Sequence, residues 1–281
     1  MIRRSASSAR RWYYAWHNVA YAAKPHERQT LDIVVPKEPA YPRAPLPVVM
    51  FVHGGAWQRG DKAGRLSANL SPTLAKSVPA IVVSINYRLS PEVQYPAHLE
   101  DAALARQWIH DNIDKYGGDK EQLIWVGHSA GAHIIMKMLM NPTKGCPPPR
   151  GVVGIAGVYN IVRMANASVY GGLVIKPVFG SNAQMWREAS VMQPTAVLPD
   201  AGASPILLLN ASEDLHLEED SAELKQWLHD RGHDSVEHHT IAETNHLSIL
   251  GDVTMDTSSK TTTLIVDFIK RVVIAPSRNV M

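Results

Sequence analysis

The sequence predicts an α/β fold, a mainly parallel, doubly wound sheet with helices on both faces. Short, continuous apolar runs such as Pro47–Val52 (PVVMFV) and Ala80–Ile85 (AIVVSI) read as strands covered on both sides. Stretches with helical spacing alternate with them, as βαβ units require. With 45% hydrophobic and 19% charged residues over 281 positions, the chain has enough apolar side chain for a sizeable core.

The first strand expected is Leu31–Val35, which alternates and stops at Pro36. A Pro-rich loop from Pro36 to Pro47 leads into the strand Pro47–Val52, which ends at His53-Gly54-Gly55. A helix over 61–77 and the strand Ala80–Ile85 follow. His98–Asp114 reads as a helix, because Leu99, Ala102, Ala103, Ala105 and Ile109 recur near helical spacing and Gly117-Gly118 follow. Gln122–Val126 is a strand, Ala130–Met140 a helix halted near Pro142, and Gly151–Ile155 a strand. After a break come the strand Ser204–Leu209, a helix from Asp220 to Arg231 stopped by Gly232, the strand Val236–Ile241 and a closing helix Thr261–Val273.

The break itself, about 159–199, is long, mixed and aromatic-containing, and is expected to be a cap inserted over the carboxyl edge of the sheet. The main domain then runs over 31–281. Residues 1–30 form a separate basic and aromatic segment: 1–26 hold five Lys/Arg and no acid. Two expectations stand for it, a mitochondrial transit peptide and a helix packing near the mouth of the site. Trp12, Tyr13, Trp16 and Tyr21 favour the second, being costly in a discarded segment.

A formal charge of +2 without long like-charge blocks argues against a nucleic-acid partner. No apolar run approaches the roughly 18–20 residues that span a bilayer, so no integral membrane segment is expected. The single cysteine, Cys146, cannot form an internal disulfide. That suits a reducing compartment, cytoplasmic or, on the transit-peptide reading, mitochondrial. A homodimer stays open.

Gly127-His128-Ser129-Ala130-Gly131 matches Gly-x-Ser-x-Gly between a predicted strand and a predicted helix, the context a nucleophile elbow needs. The glycines allow a strained turn that exposes the Ser129 hydroxyl, and the helix N-terminus behind it offers free N–H groups to a developing oxyanion. His53-Gly54-Gly55-Ala56-Trp57 also follows a strand, so the N–H groups of Gly55, Ala56 and Ala130 are the expected oxyanion donors.

Serine needs a base, and the base needs an acid to set its tautomer. The order in this architecture is Ser, then Asp or Glu, then His. His246, in the loop after the last strand, is the expected base. Asp214 is the expected acid, with the adjacent Glu213 still open. His238 and His239 are expected within a strand, packing or meeting solvent, and His216, His229 and His233 at the surface. Glu218, Glu219 and Asp220 belong to the start of a helix. No metal-ligand spacing occurs and no cofactor is expected. His53, Gly54, Trp57, Tyr87 and His128 are the candidate substrate contacts.

Together these residues resemble the esterase/lipase branch of the α/β hydrolases, from about Leu31 to Val273. His53–Trp57 and the run Gly127–His133 (GHSAGAH) resemble the kynurenine formamidases, in which the second glycine and the next residue carry the oxyanion donors; this implies Gly55 and Ala56. The lipase-like branch has a third glycine where this chain has Ala56. Asn86–Pro91 (NYRLSP) with Pro96 and Glu100-Asp101 resembles the general esterase pattern, and isoprenylcysteine methylesterases share both motifs. The resemblance implies a serine hydrolase for a small ester or amide. N-formylkynurenine is the first substrate expected, and a short-chain or aromatic ester the second. Two alternatives are acyl transfer to an alcohol and a catalytically inactive ligand-binding protein on the same fold; the presence of Ser, acid and His argues against the latter.

Overall fold

The computed structural model describes residues 12–37, 45–142, 147–167, 171–198, 204–255 and 258–274. Residues 1–11 and Cys146 lie outside them, so the transit-peptide and cysteine expectations do too. Among the described residues one sheet carries eight strands in the order β1-β2-β4-β3-β5-β6-β7-β8. The strands are β1 (Tyr13–Ala20), β2 (Thr30–Pro36), β3 (Leu46–Val52), β4 (Ile81–Ile85), β5 (Gly118–His128), β6 (Gly151–Ile155), β7 (Ile206–Glu213) and β8 (Val236–Asn245). β1 and β2 run antiparallel to their neighbours, while β4, β3 and β5 to β8 are parallel.

The parallel strands are apolar throughout because both faces are covered. Val48, Met50 and Val52 of β3 enter the core on one face, and Val49 and Phe51 the core on the other, as the two-residue period of a strand dictates. The helices are α1 (Leu70–Ser77), α2 (Ala97–Asn112), α3 (Ala130–Leu139), α7 (Leu217–His229), α8 (Ser248–Gly251) and α9 (Lys260–Ile274); the segment between β6 and β7 adds α4 (Ile161–Asn166), α5 (Lys176–Phe179) and α6 (Ala183–Ala189). A π-helical turn, Gly171–Ile175, precedes α5.

Some boundaries differ from expectation. The helix expected over 61–77 is helical from Leu70; before it, Asp61 and Gly64 head tight turns through Gly64 N to Asp61 O and Ser67 N to Gly64 O. β5 begins four residues early, where Gly118 pairs with Leu46. The N-terminal segment is no helix over 13–20: it is the edge strand β1, with Tyr13–Trp16 registered against Ile33–Pro36. Its Tyr13, Tyr14, Trp16 and Val19 are residue types favoured in strands, and its half-buried and exposed positions suit an edge.

β3 and β5 are neighbours in the sheet although β4 lies between them in the chain, and β4 sits on the far side of β3. This reversal of strand order leaves a crevice outside their carboxyl ends, where open α/β sheets hold their ligands. His53 follows β3, Ser129 follows β5, Asp214 follows β7 and His246 lies just past β8.

Candidate active site

Ser129 joins β5 to α3 at φ 53° and ψ −117°, a conformation that costs a non-glycine residue about 1–3 kcal/mol. The turn is compressed from both sides. A Cβ at Gly131 would stand 2.1 Å from the Val52 carbonyl oxygen, and one at Gly54 would stand 3.0 Å from Ser129 Cβ. The loop after β3 and the turn after β5 therefore interlock, and only glycine fits at the two contact points. The strain is held by the backbone bond from Ser129 N to Ile155 O at 2.8 Å.

His246 Nε2 lies 3.0 Å from Ser129 Oγ, and His246 Nδ1 lies 2.7 Å from Asp214 Oδ1. A carboxylate only accepts, so Nδ1 carries the proton and Nε2 faces the hydroxyl as an acceptor. Asp214 is buried and its second oxygen accepts from Asn210 Nδ2 at 2.7 Å and Ala211 N at 3.2 Å. Asn210 in turn accepts from His238 Nε2 at 3.0 Å. The relay thus runs from His238 through Asn210, Asp214 and His246 to Ser129. Glu213, left open by the sequence, contributes its carbonyl to His246 N at 3.2 Å, while its side chain faces solvent.

Gly55, Ala56 and Trp57 all have positive φ, at 113°, 54° and 58°. Gln58 N and Arg59 N both return to Gly55 O, at 3.1 and 3.0 Å. Among the described residues, the N–H groups of Gly55, Ala56 and Ala130 meet no protein acceptor, so this tight turn and the start of α3 leave donors free for an oxyanion.

The expected substrate contacts behave differently. His53, Trp57, Tyr87 and His128 are sealed from solvent, each at most 3% exposed. The Tyr87 hydroxyl donates to His53 O at 3.0 Å, and its ring stacks on His53 at 4.5 Å. His128 Nε2 donates to the His246 carbonyl at 2.9 Å. Burial above all pushes His128 and His53 down to about 4, so both stay neutral near pH 7. These side chains brace the loops from behind, and Gly54 contributes close packing. The expectation that His53, Trp57, Tyr87 and His128 face the substrate is corrected on that ground. Trp57 packs edge-on against His133 and Phe179, with centroids 5.1 and 5.0 Å away.

The segment between β6 and β7 is fastened to α3 and to the loop after β3. On α3, His133 Nε2 donates to Ala189 O at 2.9 Å, and Lys137 Nζ donates to Glu188 O at 2.7 Å and Ser190 O at 3.2 Å. Gln193, with its amide oriented to satisfy both ends, adds an acceptor for Lys137 at 2.8 Å. Side chains four apart on one helix thus cap the C-terminal end of α6. From the oxyanion loop, Gln58 Nε2 donates to the carbonyls of Leu173 and Val174 at 2.9 and 3.3 Å. Where that segment leaves β6, buried Asp220 accepts from Tyr159 N, Asn160 N and Arg163 Nη1 at 3.0, 2.9 and 2.6 Å.

Sequence reasoning missed Asn210, His238, Lys137 and Asp220 as supports. A polar residue inside an otherwise apolar buried run, as Asn210 is on β7, was the one available signal. His233 is also corrected: it is buried, packed where the turn after α7 enters β8, while His216 and His229 are exposed. Among the described residues no cluster of three or more His, Cys, Asp or Glu side chains could hold a metal ion, and no helix is long and apolar enough to cross a membrane.

The chain is similar to esterase LipC of Mycobacterium tuberculosis, 30% identical over 220 residues, which cover 73% of this chain and 52% of that one. Carboxylesterase NlhH of the same organism is 37% identical over 116 residues, 39% of this chain and 34% of that one. This chain therefore spans about half or less of the length of these relatives. Among solved structures, esterase B of Lactobacillus rhamnosis superposes with a TM-score of 0.77 at 18% identity, covering 93% of this chain and 87% of that one. A truncated carbohydrate esterase from gut microbiota gives 0.76 at 22% identity, covering 94% and 98%. The family described as the alpha/beta hydrolase fold matches residues 49–250, from β3 into α8, and the chain belongs to that family.

Proposed function

We propose that this protein is a serine carboxylesterase working through an acyl-enzyme on Ser129. The single observation that carries the reading is the hydrogen-bonded series from Ser129 through His246 to Asp214, at 3.0 and 2.7 Å. The esterase names of its relatives support the choice of ester as the bond cleaved.

In this mechanism His246 Nε2 takes the Ser129 proton as Oγ bonds to the ester carbonyl carbon. The carbonyl electron pair moves onto oxygen and meets the N–H groups of Gly55, Ala56 and Ala130. His246 then gives the proton to the departing alkoxide as the C–O bond breaks, leaving Ser129 acylated. Water, deprotonated by the same nitrogen, attacks the acyl carbon, and the acid leaves as the serine is restored. Asp214 keeps its hydrogen bond to Nδ1 and offsets the imidazolium charge. No metal or cofactor enters any step.

A second reading keeps the same steps for an aryl formamide such as N-formylkynurenine. The run Gly127–His133 and the His53–Trp57 loop favour it, since both resemble the formamidase pattern.

A fluorophosphonate probe tests the nucleophile: labelling of the wild type, lost in Ser129→Ala, is expected, and a folded but unlabelled wild type defeats the proposal. Turnover of p-nitrophenyl acetate and butyrate beside N-formylkynurenine separates the two substrates. Rapid ester cleavage with negligible formamide turnover removes the second reading.

A further inference from the structure

We propose that Arg28 is a positioning residue for the oxyanion loop, acting through His53 and Gly60 on the peptide that presents the Gly55 N–H. The inference rests on the hydrolase reading above. Arg28 lies between β1 and β2, ahead of the stretch 49–250 matched by the family, and outside every motif considered so far.

Two carbonyls hold its guanidinium: Nε donates to Tyr87 O at 3.0 Å and Nη2 to Gly60 O at 2.7 Å. Asp61 stands 3.9 Å away on the solvent side. Nη2 also faces His53 Nε2 at 3.5 Å. A guanidinium can only donate, so a second N–H on that face of His53 is disfavoured. The imidazole proton is left on Nδ1, which donates to Gly54 O at 2.7 Å.

The peptide between Gly54 and Gly55 is planar and trans, so its C=O and N–H point in opposite directions. Holding the Gly54 carbonyl against His53 aims the Gly55 N–H away from it. Gly60 closes on the same oxygen: a Cβ there would stand 2.3 Å from Gly54 O. Both contacts of Nη2 therefore converge on one peptide unit. Without Arg28, neutral His53 can carry its proton on Nε2 instead. The Nδ1 lone pair then faces the Gly54 oxygen, and the peptide is free to turn.

The test compares the full chain as wild type, Arg28→Met and Arg28→Lys in p-nitrophenyl acetate hydrolysis and in inhibition by an aryl trifluoromethyl ketone. The hemiketal oxyanion formed by that ketone on Ser129 would occupy the same donors. In Arg28→Met, kcat is expected to fall about 10- to 100-fold with KM within about twofold, the pattern of a contact made in the transition state. The ketone Ki should rise by the factor by which kcat/KM falls. Arg28→Lys, keeping the charge and a single donor group, should lie between wild type and Arg28→Met.

Unchanged kcat in Arg28→Met, a loss confined to KM, or ketone affinity that does not follow kcat/KM overturns the proposal. If Arg28→Met does not fold, a folded Arg28→Lys with wild-type kcat and ketone affinity overturns it equally. A wild type that cleaves no ester and takes no fluorophosphonate overturns the hydrolase reading, and this inference with it. That failure is visible before any Arg28 variant is compared.

Discussion

Asp214 accepts a hydrogen bond at 2.7 Å from the side-chain amide of Asn210, four residues before it on β7. His238 on the neighbouring strand holds the other end of that amide at 3.0 Å. The acid is thus oriented by a residue that is itself oriented. Removing the Asn210 amide leaves a buried carboxylate short of a donor. Asn210→Ala is expected to lower kcat about tenfold, and His238→Ala by a smaller factor. Steady-state kinetics on p-nitrophenyl acetate checks this, and equal losses in the two variants would deny the order of the relay.

The two acids at the end of β7 have different surroundings and should respond differently. Asp214→Asn replaces the acceptor that keeps the His246 proton on Nδ1, so kcat should fall by about 10³–10⁴. Glu213→Gln alters only an exposed side chain and should leave kcat within about twofold. The reverse result would reassign the acid.

Among the histidines whose pKa burial lowers, four shift furthest: His53, His98 and His128 to about 4 and His133 to about 3. The unfolded chain binds protons at these sites near pH 6.5, while the folded chain does not until about pH 4. The unfolded state therefore holds more protons between those values, and stability falls as pH drops through that window. Tm should be level between pH 7 and about 8 and fall steeply from 6.5 to 4. His98→Gln, which removes one of these sites, should flatten the slope; an unchanged slope would show that His98 is not among the groups responsible.

Lys137 reaches from α3 to the carbonyls of Glu188 and Ser190, and burial lowers its pKa to about 8. Lys137→Met strands those carbonyls at the end of α6, at a cost of about 1–3 kcal/mol. Tm should drop by about 2–10 °C, and KM should rise more than kcat falls because the cap loses its seat while Ser129 and His246 keep theirs. A kcat-only defect at unchanged KM would place the effect in the triad instead. Thermal melts and a substrate titration measure both.

Local features of the sequence determined much of this protein. Apolar runs covered on both faces predict parallel strands, and the runs at β3, β4, β5, β6 and β7 stand where that pattern puts them. The elbow at Ser129 and the loop at Gly55 were legible because a strained turn and a close approach leave glycines at fixed spacing. Chain order and loop position pointed to Asp214 and His246, which the fold brings into one hydrogen-bonded series.

What the tertiary structure decided depends on residues far apart in sequence. Glu213 and Asp214 are adjacent and chemically alike, and the end of β7 turns one outward and the other toward His246. The aromatic residues of β1 have no helical or strand requirement of their own until β2 offers an edge. His238 acquires a role from its register with β7, and Lys137 from the carbonyls that end α6. Arg28 sits 25 positions before His53, a separation over which no periodicity carries information. Nucleophile chemistry is written in short-range backbone constraints, whereas the supports around it come from packing between distant segments, which becomes definite once the sheet is assembled.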